Sequence, residues 1–124
     1  MVTNYEYLKS ILEKIIVAHN ILKKLEDKPG DLDIVKKQIS KINGFFHVLI
    51  NKLYTEKFQS SDFSDLRSKL EYYLKNYSFE KEIETMAQLY SADSSRLKNL
   101  RLKILESLAD KKLIDNIEYA LGKL

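Results

Sequence analysis

Residues 34–55, IVKKQISKINGFFHVLINKLYT, decide how this chain folds. At 100° per residue Val35, Ile39, Ile42, Phe46, Leu49, Ile50 and Leu53 fall within one arc, which predicts an amphipathic helix with a buried stripe. The opposite arc carries Lys36, Lys37, Ser40, Lys41, Gly44, His47, Asn51 and Lys52. None of these 22 residues is acidic, although Asp and Glu supply 18 of the chain's 124 residues. A face of cations, amides and small groups with no carboxylate to neutralise it suits a polyanion, and phosphate is the commonest polyanion in a cell.

Upstream, Leu8, Ile11, Leu12, Ile15, His19, Leu22 and Leu25 form a second stripe, predicting a helix from about Asn4 to Asp27. Thr3 and Glu6 stand in the S/T-x-x-E capping arrangement at its start. Lys28-Pro29-Gly30-Asp31 is the strongest break in the chain, with Asp31 or Asp33 placed to cap the next helix, which is expected to reach about Lys57. Two long helices joined by so short a loop favour an antiparallel hairpin.

Downstream, Gln59-Ser60-Ser61-Asp62 reads as a loop, and Phe63, Leu66, Leu70, Tyr73, Leu74 and Tyr77 give a third amphipathic helix. Ser78 is placed to cap a short fourth helix, about Phe79 to Tyr90, that buries Phe79, Ile83, Met86, Ala87 and Tyr90. Ser91 to Ser95 is a loop rich in capping residues. Beyond it, the stripe Leu97, Leu100, Ile104, Leu108 and then Leu113, Ile117, Ala120, Leu121, Leu124 predicts either one long helix or two meeting near Ala109 to Lys111. Two are preferred, because Asp110 is placed to cap the second. One Pro and three Gly leave little room for β turns. The expected fold is all-α: a compact bundle of five to six helices, residues 1–124 forming a single domain that begins with the long hairpin.

The composition narrows the function classes. Without Cys there is no disulfide, thiolate metal site or Cys nucleophile, which fits a reducing cytoplasm. Charges interrupt every apolar stretch, so no membrane span is expected, and Met1-Val2-Thr3-Asn4 lacks the features of a signal peptide. The net charge of +3 argues against coating duplex DNA by bulk electrostatics, so any polyanion site must be local. Such a run recurs at Arg96, Lys98, Arg101 and Lys103, opposed only by Asp93. Lys outnumbers Arg 18 to 3, which favours backbone contact over base reading. The candidate nucleic-acid-binding residues are therefore Lys36, Lys37, Lys41, His47, Asn51, Lys52, Arg96, Arg101 and Lys103.

Catalytic readings fail one by one. The two histidines, His19 and His47, have neither H-E-x-x-H nor the E-x-x-H spacing of di-iron bundles, so no metal or other cofactor is expected. His19 lies in an apolar stripe and reads as a core histidine; His47 lies on the polar face of its helix. No Arg is followed by His at the R-x-x-x-x-H spacing of one class of helical ribonucleases. Asp31 with Asp33, and Asp62 with Asp65, stand at helix starts, where carboxylates satisfy free N–H groups. Ser94 and Ser95 lack a nearby base, and no Gly-rich phosphate loop exists. Tyr73 and Tyr77 share the third helix's core stripe; Tyr72 alone points away. Leu102, Leu105, Phe45, Val48 and Tyr54 lie off the main stripes, an arrangement that either deepens a core or meets another molecule.

Asp65-Leu66-Arg67, then Tyr72-Tyr73, then Lys81, Ile83, Glu84, Ala87 and Leu89 resemble the central helices of the small subunit of type III CRISPR interference complexes. Ser94-Ser95-Arg96 with Arg101, Glu106 and Leu108 is similar to the C-terminal helices of that group, so the resemblance covers about residues 60 to 110. It implies a compact all-α, noncatalytic subunit that stacks in several copies and lines a groove for guide RNA and target. Single-stranded RNA or an RNA duplex backbone, together with partner subunits or further copies, are then the expected partners. The alternative is a protein-binding or oligomerising helical module whose lysine face is merely solvated.

Overall fold

The structure is a computed structural model that describes residues 4–53 and 61–123. Six α-helices follow in order: α1 (Asn4–Lys24), α2 (Asp31–Leu53), α3 (Ser61–Asn76), α4 (Glu80–Leu89), α5 (Ser94–Ala109) and α6 (Leu113–Gly122), with a 3-10 turn, Asp110–Lys112, between the last two. Among the described residues there is no strand. The expectation of an all-α bundle opening on a helical hairpin holds.

One core joins all six helices. α2 contributes the wheel's stripe, with Val35, Ile39, Ile42, Phe46, Leu49 and Leu53 almost wholly buried and Ile50 half-buried. α1 adds Leu8, Ile11, Leu12, Ile15, Ala18 and Leu22 against it. Each such side chain stabilises the fold by about 1.5–3 kcal/mol relative to exposure. Phe46 meets Tyr73 of α3 edge-on at 5.1 Å between ring centroids. The Tyr73 hydroxyl is buried without a hydrogen-bond partner among the described residues, and that burial raises its pKa.

Helix boundaries depart from expectation where the backbone turns left-handed. α1 ends at Lys24, three residues before the expected Asp27, which is itself left-handed with a φ of 63°. Asp31 is already the first residue of α2, and its Oδ2 accepts the amide of Lys28 in the preceding loop at 3.0 Å; the expected cap is replaced by a bond that closes that loop, and Asp33 lies inside the first turn. Thr3, the expected end of the second helix near Lys57, and the loop residues Gln59 and Ser60 lie outside the described residues. Ser61, expected in that loop, already begins α3. Asp65 reaches along its own helix to Lys69 at 3.4 Å instead of capping.

Ser78 does not cap α4. Ser78 and Phe79 have φ of 45° and 63°, Phe79 fills the N-cap position with no side-chain bond, and the Ser78 carbonyl accepts from Asn43 Nδ2 at 2.9 Å. α4 buries Phe79, Ile83 and Met86, but Ala87, expected inside, is exposed and Tyr90 is half-buried. Asp93 caps α5, its Oδ1 accepting the Arg96 amide at 3.1 Å. α5 and α6 are two helices, as expected, yet Asp110 does not cap the second. Left-handed Lys111 and Lys112 make the break, and the Asp110 carboxylate accepts the Tyr77 hydroxyl at 2.9 Å.

Candidate nucleic-acid interface

Helical periodicity puts the polar residues of α2 outside because the hairpin with α1 and the packing of α3 and α4 take up the opposite arc. Lys36, Lys37, Ser40, Lys41, Gly44, His47 and Asn51 are all exposed. Among the described residues no ion pair engages Lys36, Lys37 or Lys41. Lys52 is half-buried, its Nζ 4.9 Å from the Tyr7 ring centroid of α1. From Lys37 to Lys52 the face extends roughly 22 Å along the helix. At its centre, a Cβ added to Gly44 would meet nothing within 4 Å, so packing does not demand a glycine there. A glycine within a helix costs about 1 kcal/mol relative to alanine. The bare backbone at Gly44 therefore carries a cost with no internal return.

Tertiary structure supplies carboxylates that the local sequence lacks. Lys36 and Ser40 line a cavity of about 440 Å³ between α2 and α4, whose other wall includes Glu80, Glu84 and Gln88. That edge of α2 is mixed in charge. Asp33, exposed one turn before Lys37 on the same helix, adds a carboxylate at that end, and the sequence of α2 is free of acids from Lys41 through Gly44 to Asn51.

The second basic run is largely engaged by the fold. Arg101, expected to contact nucleic acid, is 8% exposed. Its Nε and Nη2 donate to the two Asp27 carboxylate oxygens at 2.7 and 3.0 Å, and Nη1 donates to the Leu22 carbonyl at 3.3 Å. The hydrogen bond to Asp27 raises its pKa against the opposing effect of burial. Arg101 thus binds the C-terminal end of α1 to α5 and is withdrawn from the interface. The reason was available on the helical wheel, since position 101 falls on the arc of Leu97, Leu100, Ile104 and Leu108.

Arg96 remains exposed but is held at 3.2 Å by Asp93 and lies 3.8 Å from the centroid of the Tyr90 ring. Lys103 is exposed beside Glu82, and Glu106 and Asp110 line the same cavity. α4 packs against both α2 and α5, so its acids stand between the two basic runs. They do not merge into one surface. Sequence reasoning missed the cavities flanking α4, because their walls come from helices far apart in the chain.

Off-stripe apolar residues divide. Leu102 is 46% exposed, whereas Leu105, Phe45 and Val48 pack half-buried on the core; Tyr54 lies outside the described residues. Tyr72 is exposed, as the wheel indicates, with Lys111 Nζ 3.6 Å from its ring centroid. His19 is half-buried and its pKa is lowered by that burial and by Lys23. Among the described residues no three His, Cys, Asp or Glu side chains are grouped to hold a metal ion, and no helix is long and apolar enough to cross a membrane. Comparison with protein-family models, curated proteins and solved structures returns no match, so the functional reading rests on this geometry and on the resemblance in residues 60 to 110.

Proposed function

We propose that this protein is a noncatalytic, nucleic-acid-contacting subunit of a larger cytoplasmic ribonucleoprotein assembly, holding an RNA or DNA backbone on the lysine face of α2. The observation that carries this reading is the exposed sector of Lys37, Lys41, Gly44 and Asn51, where cations with no ion pair among the described residues flank a bare stretch of helix backbone. Lysines act as point charges, so the contact follows phosphate positions without reading bases. The resemblance to the small subunit of type III CRISPR complexes supports an assembly of several subunits around the strand. Arg101 is left out of the interface, and Lys36 and His47 border it.

The test is binding of a labelled single-stranded RNA at rising salt, repeated with Lys37→Glu, Lys41→Glu and Lys52→Glu combined. The expected logarithmic salt slope is about −2, from roughly 0.7 per neutralised phosphate, and charge reversal should weaken binding about ten-fold or more. Binding indifferent to both would sink the proposal. A second reading draws on the outward apolar side chains Leu102 and Leu89, 46% and 68% exposed. It makes the chain a protein-binding or oligomerising helical module with no nucleic-acid role. A strictly monomeric species in sedimentation, with no partner subunit bound, would count against that alternative.

A further inference from the structure

Residues of α4 and α5, with none from α2, line a trough of about 530 Å³. That volume lies within the roughly 300–1,000 Å³ typical of small-ligand sites. Met86 and Leu100, both nearly buried, lie among its lining residues, and Tyr90 adds an aromatic wall. Lys81 and Thr85 line it from α4 at a spacing of four. Arg96, Asn99 and Lys103 line it from α5 at successive spacings of three and four, and so share one helix face. Its lining holds three cations and one carboxylate, Glu82; Asp93, paired with Arg96 at 3.2 Å, is a second, which leaves a single net positive charge.

The Arg96 guanidinium lies 3.8 Å from the Tyr90 ring centroid, and Asp93 engages its Nε edge. A guanidinium plane supported in this way presents its other face and its terminal amino groups to a ligand, a combination that stacks a base and bonds a phosphate. Asn99 offers both a donor and an acceptor for a base edge. An apolar ligand would leave Lys81 and Lys103 without a counter-charge, and inorganic phosphate would leave the aromatic and apolar wall uncovered.

We propose that the α4–α5 trough beside Tyr90 and Arg96 binds a planar base that carries a phosphate, supplied either as a free nucleotide or as one unpaired nucleotide of a strand. This site shares no residue with the α2 face and does not depend on it.

The experiment is an amide chemical-shift titration of the full chain with adenosine 5′-monophosphate, inorganic phosphate and a six-residue oligoadenylate. Adenosine monophosphate should move the signals of Thr85, Tyr90, Arg96, Asn99 and Lys103 with a dissociation constant of about 1 mM or tighter. Arg96→Gln and Lys103→Gln should each weaken it about five-fold or more, and Tyr90→Phe should leave it within about two-fold, since stacking needs the ring and not the hydroxyl. Lys37→Glu with Lys41→Glu should leave it unchanged, which separates failure of this site from failure of the α2 reading. An oligoadenylate at least ten-fold tighter than the monophosphate identifies the strand as the source, and equal affinity identifies the free nucleotide; either supports the site. The proposal is overturned if inorganic phosphate binds there as tightly as the nucleotide, if the shifts fall elsewhere, or if none occur by about 10 mM.

Discussion

The basic runs on α2 and α5 look alike in one dimension and differ in three. Each is a helical stretch rich in cations and poor in acids. On α2 the lysines stand outside the stripe, and among the described residues none of Lys36, Lys37 and Lys41 has an ion-pair partner. On α5, Arg101 is buried against Asp27, Arg96 is held by Asp93 and Tyr90, and Lys103 borders a cavity with Glu82, Glu106 and Asp110. A cation buried in a bond within its own fold, as Arg101 is with Asp27, is withdrawn from any partner. The wheel position of each residue tests this better than the charge count of its segment.

The largest expected effect comes from breaking the engaged side of this contrast. Arg101→Leu leaves Asp27 partly buried without its guanidinium and the Leu22 carbonyl without that donor, and should cost about 3–5 kcal/mol in urea unfolding. Combining it with Asp27→Asn should recover part of the loss, because the second change removes the stranded charge. A cost below about 1 kcal/mol for Arg101→Leu would mean that this arginine is free after all, and the contrast between the helices would collapse.

The next effect bears on binding. Reversing Lys37 and Lys41 should weaken single-stranded RNA binding about ten-fold, or about 1.4 kcal/mol, with stability nearly unchanged. Reversing Lys98 on α5, which lies outside the trough, should weaken it less than about three-fold, since that run lies across α4 and its carboxylates. A loss from Lys98 equal to that from Lys37 and Lys41, measured at one salt concentration, would show a continuous surface that includes both helices.

The bundle itself was legible because 3.6-residue periodicity survives along every helix: most of the stripes of α1, α2 and α5 read from the wheel are buried, with His19, Leu25 and Ile50 only half-buried and Ala18 and Arg101 added to the interior. The boundaries were less so. Ser78 and Asp110 carry good capping side chains, but Phe79 and Lys112 occupy the N-cap positions in left-handed conformations that no propensity favours. The packing of Phe79 in the core and the bond from Tyr77 to Asp110 fix those turns, and both depend on residues brought together only by folding. The α2 face was legible as a run without acids; the acids of α4 along its edge were not, because they lie some forty residues away in sequence. Glycine placement gives a paired test. Lys112→Gly should stabilise the fold by about 1 kcal/mol by removing a left-handed Cβ. Gly44→Ala should also gain about 1 kcal/mol, since the added methyl meets open space. Only Gly44→Ala should weaken RNA binding, because only there is a bare backbone part of the proposed contact. A loss of binding in both variants, or in neither, separates Gly44 from that contact.

The smallest effect extends the contrast to the two histidines, one within a stripe and one on the open face. Burial, reinforced by Lys23, lowers the pKa of His19 below 6.5 in the folded protein. The unfolded chain therefore binds a proton first as pH falls, and folding stability from this group is fully present above about pH 6.5. It should decline as pH falls through the lowered folded value, before carboxylates titrate. Urea midpoints at pH 7, 6 and 5 should decrease in that order, and His19→Gln should flatten the decrease. His47→Gln, on the exposed α2 face, should change the RNA affinity little at pH 7. If His19→Gln left the decrease as steep as in the unaltered chain, burial of this imidazole in the α1 stripe would not be what sets the pH dependence, and the contrast between the two histidines would rest on exposure alone.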